Sequence, residues 1–399
     1  MAADGPILIA GGGIGGLALA IALARRGRRS VVLEQRQNFA TAGAGIQLGP
    51  NGVRVLQRLG LAGVLEPMVG APEAIRVHGG RTGRTLAALP LGGWIAARHG
   101  APYWVAHRSD LHGTLLAAAA AEPLVSLRTG FALTALAQGD EGVQATSAAG
   151  DRAGGAALVG ADGLWSSVRQ SLFPSCVPRF AGATATRAVI AASRAGALAM
   201  PAVGLWLTPG VHVVHYPVRG GAEIAIVVIA VENWPAENWQ GRDWDVEADA
   251  APLLARLRGF HASVTEVLAG VRDWRKWALH RLPTLPTWSN GRVTLLGDAV
   301  HPMLPYLAQG GALALEDALV LADCIATPAH GLAGAFQAFE GLRRARAEQV
   351  QRASRRQGRI YHLPPPLSWA RNAALRLTPG RALMAGYDWL YGWRAGNLP

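Results

Sequence analysis

The chain has little cysteine and no long apolar run, and each absence excludes a class of protein. Only Cys176 and Cys324 occur among 399 residues, too few for a disulfide framework or a cysteine metal cluster. No stretch approaches the roughly 20 apolar residues that a membrane-spanning helix needs, and the first predicted strand begins too early for a signal peptide before it. We therefore expect a cytoplasmic protein with no metal and no membrane partner.

Lysine is almost absent. Lys276 is the single lysine among 38 basic residues, and the formal net charge is +12. The densest basic stretch, 343–359, mixes arginines with Glu348 and glutamines and contains no aromatic residue, whereas nucleic-acid-binding surfaces usually combine basic and aromatic side chains. We expect a solvated helix face there and no nucleic-acid partner. The alternative is an electrostatic field that attracts an anionic substrate and a nicotinamide cofactor.

A glycine-rich turn near the N-terminus predicts dinucleotide binding. It follows the apolar run Ile7–Ala10 and has the pattern G-x-G-x-x-G at a strand-to-helix junction, where backbone N–H groups and a helix dipole favour a pyrophosphate. Glu34 ends the next strand and is expected to bind the adenosine ribose, which argues against a 2'-phosphate. The residues expected to contact this part of the cofactor are Gly11, Gly13, Ile14, Gly15, Gly16, Glu34, Gln35 and Arg36.

Two further turns of the same kind follow apolar runs later in the chain. The first contains Asp162 within Gly160-Ala161-Asp162-Gly163, and the second contains Asp298, with a helix expected to begin near Gly310. A nicotinamide dinucleotide would need only one such turn, so three turns favour the longer FAD. Asp298 is expected to hold ribityl hydroxyls, and the helix start at Gly310 and Gly311 to lie at the flavin pyrimidine edge, where reduction places negative charge.

The order of predicted elements indicates an α/β fold: a Rossmann-type FAD-binding domain with an inserted antiparallel-sheet substrate domain and a helical C-terminal segment. β-Branched and alternating runs between 184 and 231 predict the inserted sheet. Ser109 is the expected N-cap of a helix, and the aromatic residues of the C-terminal segment, such as Tyr391, are expected to pack. The expected domains are 1–75, 101–176 and 286–345 for FAD, 76–100 and 177–285 for the substrate, and 346–399 for the C-terminal segment.

These motifs together resemble those of the single-component flavoprotein aromatic hydroxylases, which have the p-hydroxybenzoate hydroxylase fold. The segments 43–47, 107–112 and 303–311 resemble the branch of salicylate, 6-hydroxynicotinate and 3-hydroxybenzoate 6-hydroxylases. The resemblance implies tightly bound FAD, NADH or NADPH as a transient reductant, O2 as co-substrate, and hydroxylation through a flavin C4a-hydroperoxide. It also implies a small phenolic or N-heteroaromatic substrate. We expect a monomer or a homodimer.

The predicted strand around His212 carries candidate catalytic groups. Positions four apart share one face of a strand, so His212 and Tyr216 are expected to point into one pocket and His215 away from it. The resemblance implies catalytic roles for Tyr216, His301 and His212, in that order, with a base or hydrogen-bond relay at the ring hydroxyl. An alternative is that His301 mainly shapes the flavin loop. The remaining implied contacts are Gln47, Met303 and Tyr306 for the substrate, and Arg108 and Pro305 for the flavin.

Other positions differ from this branch or have a simpler interpretation. Gln47 and Trp165 stand where histidine is expected, and Ala225 stands where asparagine is expected. Gln47 weakens a decarboxylating hydroxylation of a pyridine carboxylate, and Ala225 removes a possible polar contact with the substrate. The three changes predict a less polar pocket, so a larger bicyclic or secondary-metabolite ring, such as a quinolone or polyketide, stays an alternative. A flavin-binding protein without turnover is a further alternative. Glu316 and Asp317 are expected to cap or solvate their own helix.

Overall fold

The computed structural model describes residues 5–39, 44–232, 246–327 and 331–396, in which strands occur as far as Leu295 and only helices follow from Gly310. The strands are β1 (Ile7–Ala10), β2 (Ser30–Leu33), β3 (Gly45–Leu48), β4 (Ala74–Gly79), β5 (Thr85–Pro90), β6 (Trp104–His107), β7 (Val125–Arg128), β8 (Leu133–Gly139), β9 (Gly142–Ser147), β10 (Arg152–Gly155), β11 (Ala157–Gly160), β12 (Arg179–Ala191), β13 (Val203–Thr208), β14 (Val211–Val218), β15 (Glu223–Val231), β16 (Val246–Glu247), β17 (Arg275–Arg281), β18 (Ser289–Asn290) and β19 (Val293–Leu295). The helices are α1 (Ile14–Ala24), α2 (Pro50–Arg58), α3 (Ala62–Leu65), α4 (Gly92–His99), α5 (Arg108–Ala121), α6 (Ser167–Leu172), α7 (Ala250–Arg256), α8 (Ala262–Ala269), α9 (Gly310–Ala326), α10 (Gly331–Tyr361), α11 (Leu367–Leu377), α12 (Gly380–Ala385) and α13 (Asp388–Tyr391).

A six-stranded sheet with the order β18-β19-β11-β1-β2-β7 forms the nucleotide-type half of the fold. All of its neighbouring strands are parallel except β18 and β19. β1 and β11 are apolar and buried throughout, as parallel strands covered on both faces must be. Because β19, β11 and β1 are neighbours, the three predicted turns lie side by side at the carboxyl edge of this parallel sheet.

The second large sheet has eight strands in the order β16-β17-β12-β15-β14-β13-β4-β5. Its neighbours are antiparallel except β4 and β13. The runs predicted between 184 and 231 are present as β12 to β15, which confirms the inserted sheet. In the register of β14 and β15, Tyr216 lies opposite Ala225 and His212 opposite Ile229. One face packs against α7 and α8 around the buried Trp274.

Two smaller sheets and the C-terminal helices complete the architecture. The small sheets have the orders β10-β9-β8 and β3-β6. α10 runs across position 345 without a break, so the boundary expected there falls inside a helix. The N-cap of α5 is His107, not Ser109: an unprotonated ring nitrogen accepts from the Ser109 backbone N–H as a hydroxyl oxygen would. Every helix of the described ranges is too short or too polar to span a bilayer.

Candidate active site

A cavity of about 470 Å³ lies between the carboxyl edge of the parallel sheet, the inserted sheet and the C-terminal helices. The predicted site residues that line it are Gly13, Ile14, Gly15, Gln47, Arg108, His212, Tyr216, Asp298, Met303, Pro305, Tyr306, Gly310 and Gly311. The predicted site residues outside its lining are Gly11, Gly16, Glu34, Gln35, Arg36, Asp162 and His301. The fold therefore places residues of the glycine turns and of the strand that carries His212 around the same cavity.

The first turn combines tight backbone packing with open space toward the cavity. Gly11 has a φ of +106°, and a Cβ there would lie 2.5 Å from the carbonyl oxygen of Ala161. A Cβ on Gly16 would overlap the Gly11 carbonyl oxygen, so α1 packs directly on the turn. Gly13, in contrast, lines the cavity, and its Cβ would have no atom within 4 Å. The turn thus leaves room for a pyrophosphate at the N-terminus of α1.

Glu34 supports this turn from the end of β2. Its carboxylate accepts hydrogen bonds from the backbone N–H groups of Gly12 and Arg36, each at 3.0 Å. Glu34 itself is buried, whereas Gln35 and Arg36 are exposed. A carboxylate has further acceptor capacity, so Glu34 is held in a position suited to ribose hydroxyls.

Asp162 caps the short helix that follows the second turn. One carboxylate oxygen accepts from the backbone N–H groups of Ser167 at 2.8 Å and Val168 at 3.2 Å. The other oxygen, Oδ1, is buried and has no hydrogen-bond partner within the described ranges. Burial raises the pKa of this carboxyl because the hydrogen bonds offset only part of the lost hydration. An unpaired acceptor next to Gly163, which lines the cavity, suits a ligand hydroxyl.

Asp298 and the start of α9 form the third turn. Burial raises the pKa of Asp298, against the effect of the His301 and Arg108 charges, and burial also lowers the pKa of Arg108. α9 begins at Gly310, where the cavity wall includes both Gly310 and Gly311. The first N–H groups of a helix have no partner within it, so this end of α9 favours negative charge in the cavity.

FAD fits these features. Two helix N-termini, from α1 and α9, meet one cavity, and the turns that border it come from three neighbouring strands. The open space at Gly13 suits a pyrophosphate, and the acidic side chains of Glu34, Asp162 and Asp298 suit sugar and ribityl hydroxyls. No cluster of side chains suited to a metal ion occurs in the portions of the chain that the structure describes.

The face of β14 that meets the cavity carries His212 and Tyr216, as the two-residue period of a strand predicts. His215 lies on the opposite face, where its Nε2 accepts a hydrogen bond of 3.0 Å from the indole N–H of Trp206. The strand therefore separates two functional candidates from a structural histidine.

Tyr216 is held as a neutral phenol. Burial raises its pKa far above the usual range, although the Arg187 charge and a hydrogen bond from Gln47 oppose this effect. Gln47 also accepts a hydrogen bond of 2.6 Å from the hydroxyl of Tyr103. Gln47 thus orients two phenols in the cavity wall, which is more than the wall contact predicted for it.

Small residues make room for the Tyr216 ring. A Cβ on Gly45 would overlap this ring and would lie 2.6 Å from the Cβ of Ala225. Ala225 is fully buried and does not line the cavity. Ala225 lies opposite Tyr216 in the register of β14 and β15, and the less polar pocket expected from this substitution stays a prediction.

His301 lies behind the cavity wall and contacts an acid. Its Nε2 is 2.5 Å from Oδ2 of Asp317, and its ring centroid is 5.4 Å from that of Trp288. Burial lowers the pKa of His301, but the Asp317 carboxylate outweighs this effect and raises it. Burial likewise raises the pKa of Asp317, but His301 and Arg343 outweigh it and hold that pKa at about 2. His301 therefore lies outside the cavity lining, a position that suits the alternative in which it shapes the flavin loop, and its catalytic role stays a prediction.

Comparison with known proteins decides the family. The FAD binding domain family matches residues 4–354. The chain belongs to this family. It is 39% identical over 395 residues to 3-amino-4-hydroxybenzoate 2-monooxygenase PtnB3 of Streptomyces platensis, covering 98% of this chain and 97% of that protein. It is 35% identical over 400 residues to 3-hydroxybenzoate 6-hydroxylase of Polaromonas naphthalenivorans strain CJ2, covering 99% and 98%.

Two solved structures share the fold of this chain. HpxO of Klebsiella pneumoniae, in complex with FAD and uric acid, superposes with a TM-score of 0.84 at 24% identity, covering 97% of this chain and 96% of that one. A salicylate hydroxylase in complex with its substrate gives a TM-score of 0.82 at 24% identity, covering 98% and 96%. The chain is an FAD-dependent aromatic monooxygenase of the hydroxybenzoate hydroxylase type, which confirms the resemblance and the fold class.

The cavity of this FAD-dependent monooxygenase is lined by all six tyrosines of the chain. Three of these residues, Tyr103, Tyr361 and Tyr387, are not predicted from the sequence as site residues, and Tyr391 is expected there only to pack. Buried phenols usually find a hydrogen-bond partner, as Tyr387 does at 3.3 Å from Oε1 of Gln357. The C-terminal segment therefore forms part of the site, and its tyrosines were a signal for this.

The monooxygenase also contains a buried ion cluster that sequence reasoning missed. Glu316 and Asp317 are fully buried rather than solvated. Arg343 donates to Asp317 at 2.8 Å and to Glu316 at 2.7 Å, and Arg346 donates to both oxygens of Glu316. The prediction of a solvated helix face is therefore wrong for these two arginines of α10, although it holds for the exposed Arg356.

Proposed function

We propose that this enzyme hydroxylates a small phenolic or N-heteroaromatic acid, with NADH or NADPH as the transient reductant and O2 as the co-substrate. The observation that carries the proposal is one cavity that joins the flavin-type turns to the His212 and Tyr216 face of β14. A tightly bound flavin supplies oxygen activation at its C4a atom. The chain supplies the positions and the electrostatics.

The favoured substrate class is a hydroxybenzoate. The two relatives named above act, by their names, on 3-amino-4-hydroxybenzoate and 3-hydroxybenzoate, which carry a hydroxyl and a carboxylate on one ring. Arg187 lines the cavity near Tyr216, and its guanidinium lies 4.9 Å over the ring of Trp277. A buried cation at this position favours an anionic group on the substrate.

The side chains of β14 act on the ring hydroxyl in this proposal. Tyr216 stays protonated and so donates a hydrogen bond, and Gln47 holds it in place. His212 is a neutral imidazole and accepts the hydroxyl proton, which makes the ring a better nucleophile. The start of α9, at Gly310 and Gly311, favours negative charge on the reduced cofactor.

A second candidate is the same chemistry on a larger ring. Its support is apolar surface from the C-terminal helices, because Leu375, Leu383 and Met384 line the cavity beyond the tyrosines. A bicyclic quinolone or polyketide ring would contact this surface, whereas a single small ring would leave much of it uncovered.

The test uses purified, flavin-coloured enzyme with NADH or NADPH and a panel of aromatic acids. We expect a hydroxybenzoate to stimulate NAD(P)H oxidation and one labelled oxygen atom to enter the product from isotopic O2. Greater stimulation and coupling with bicyclic rings supports the second candidate. Failure to bind FAD, or NAD(P)H oxidation that no aromatic compound changes, contradicts both. Light scattering on the same sample tests the predicted monomer or homodimer.

A further inference from the structure

His212 has a hydrogen-bond partner on the C-terminal side of the fold. Its Nδ1 lies 2.8 Å from Nε2 of His362, and the two ring centroids are 4.9 Å apart. His362 follows the last residue of α10, and its backbone N–H donates to the carbonyl of Gly358 at 3.2 Å. Since Nδ1 of His212 is used in this contact, Nε2 is the nitrogen left for a group in the cavity.

The two histidines differ in their access to solvent. His212 is 1% exposed and lines the cavity, whereas His362 is partly exposed. One hydrogen bond therefore connects the cavity lining with a partly exposed histidine. The rings of Tyr306 and Tyr361 pack against His212, with centroids at 5.7 and 5.1 Å, and enclose the contact.

Both imidazoles are neutral at neutral pH. Burial and then the neighbouring His362 hold the pKa of His212 well below its usual range. Burial and then the charge of Arg371 lower the pKa of His362 to about 4. A neutral imidazole has one N–H donor and one acceptor nitrogen, so two in sequence pass a proton by exchanging tautomers.

We propose that His362 is the outlet of a proton relay that runs from the cavity through His212 to solvent. The ring hydroxyl of the substrate loses its proton to Nε2 of His212, while Nδ1–H of His212 passes its proton to Nε2 of His362. His362 then releases its Nδ1 proton to water, and the substrate keeps the electron pair as a phenolate. No redox change occurs, and reprotonation of the product along the reverse path restores both tautomers.

This relay rests on the proposed function, because it needs a hydroxylated ring in the cavity. His362 does not line the cavity and is thus a positioning and relay residue. A purely structural role would be to attach the C-terminal segment to β14. That role predicts loss of affinity or stability, whereas a relay predicts slower proton transfer with binding preserved.

The test measures phenolate formation without turnover. Oxidised, FAD-loaded enzyme is mixed anaerobically with 3-amino-4-hydroxybenzoate or 3-hydroxybenzoate in a stopped-flow instrument, and the phenolate absorbance is followed. For His362→Gln we expect phenolate formation on the order of tenfold to 100-fold slower, with unchanged substrate affinity and flavin content. The matched control is His215→Gln, on the same strand but the other face, and it should keep the wild-type rate.

Chemical rescue separates the two roles further. For His362→Ala we expect imidazole in solution to restore the rate in proportion to its concentration. A wild-type rate in His362→Gln overturns the relay, as does slow phenolate formation that imidazole leaves unchanged. Hydroxylation by the wild-type enzyme without formation of phenolate would also overturn the relay, but it would leave the proposed function intact. Enzyme whose NAD(P)H oxidation responds to no aromatic compound overturns the proposed function instead.

Discussion

Arg346 on α10 holds Glu316 on α9 by a two-point ion pair, with Nε 2.6 Å from Oε2 and Nη2 2.7 Å from Oε1. The same guanidinium donates to the carbonyl oxygens of Trp389 at 3.3 Å and Leu390 at 3.0 Å. One side chain therefore connects the helix that begins at the cavity with the C-terminal segment that contributes Tyr391. A bidentate pair of guanidinium and carboxylate fixes the orientation of the two groups as well as their distance.

Loss of this bidentate ion pair should destabilise the fold. For Arg346→Leu we expect the free energy of unfolding in urea to fall by roughly 3 kcal/mol, because Glu316 loses a partner in a fully buried position. The control is Arg352→Leu on the same helix, whose pair with Glu348 is 3.2 Å long and exposed. It should change the free energy by less than about 0.5 kcal/mol. Equal decreases in the free energy of unfolding of the two variants would contradict the importance of the buried ion pair.

Gly358 gives α10 its close approach to the cavity. A Cβ there would lie 2.5 Å from Cε2 of Tyr306, so we expect Gly358→Ala to displace this ring, raise the substrate KM and destabilise the fold by about 1–3 kcal/mol. Gly341 lies in the same helix with nothing within 4 Å of its Cβ position. Gly341→Ala should instead stabilise by roughly 0.5–1 kcal/mol, because alanine favours a helix. Steady-state kinetics and urea unfolding on both variants test this contrast.

Local patterns were enough to predict the turns and the sheet. The turn at Gly11 depends on glycine geometry within a few residues, and the alternation of His212 and Tyr216 depends only on strand period. The ion cluster could not be found in this way. Arg343 and Arg346 carry the charge expected of a solvated face, and only the packing of α10 on α9 gives them buried carboxylate partners.

The same limit applies to residues of loops and of the C-terminal segment. His301 lies in a loop whose course no periodicity defines, and its ring direction is decided by Asp317 on α9. Tyr387 and Tyr391 reach the cavity because arginines of other elements hold their segment, as Arg54 does through the carbonyl of Tyr391. Contacts of this kind connect residues far apart in the chain, so they follow from the tertiary fold alone.

Asp298 should determine retention of the cofactor. For Asp298→Ala we expect a lower ratio of flavin to protein after purification and weaker rebinding of FAD, because a buried acceptor in the cavity is lost. The fold should persist, since Asp298 lies in the turn that follows β19 and lines the cavity, not within a core strand. The control is Asp140→Ala, in an exposed loop. A fully flavin-loaded Asp298→Ala protein would argue against the ribityl contact.

The pair of His301 and Asp317 should give a pH-dependent stability of defined sign. The pKa of His301 is raised in the folded protein. Its contribution to the free energy of unfolding is therefore complete below the unfolded pKa of about 6.5, and it is lost as pH rises through the folded pKa. We expect the difference in unfolding free energy between wild type and His301→Gln to shrink above pH 6.5.

His215 is the control, because its contribution to the free energy of unfolding should depend on pH in the opposite direction. Burial lowers its pKa to about 3, so its contribution is present above about pH 6.5 and is lost as pH falls toward the folded value. The difference between wild type and His215→Gln should therefore shrink below pH 6.5, and urea titrations from pH 5 to 9 compare the two variants directly. Parallel pH profiles would show that the Asp317 contact does not stabilise charged His301.

Tyr216 should control how well oxygen activation is coupled to hydroxylation. Tyr216→Phe removes the hydrogen bond with Gln47 and the proposed donor to the ring hydroxyl, while the buried ring is kept. We expect hydroxylation slower by on the order of tenfold to 100-fold, more hydrogen peroxide per NAD(P)H consumed, and an unchanged flavin content. Product and peroxide are measured in the same reaction.

The comparison that isolates this effect is Tyr387→Phe, which removes another cavity hydroxyl, the one bonded to Gln357. Both variants lose one phenol oxygen from the same cavity, so a general change in polarity would affect them alike. Only Tyr216 lies on the strand that also presents His212, and only its loss should shift the ratio of product to peroxide. An unchanged ratio in Tyr216→Phe would remove this residue from ring activation and leave His212 as the group on β14 that acts on the substrate.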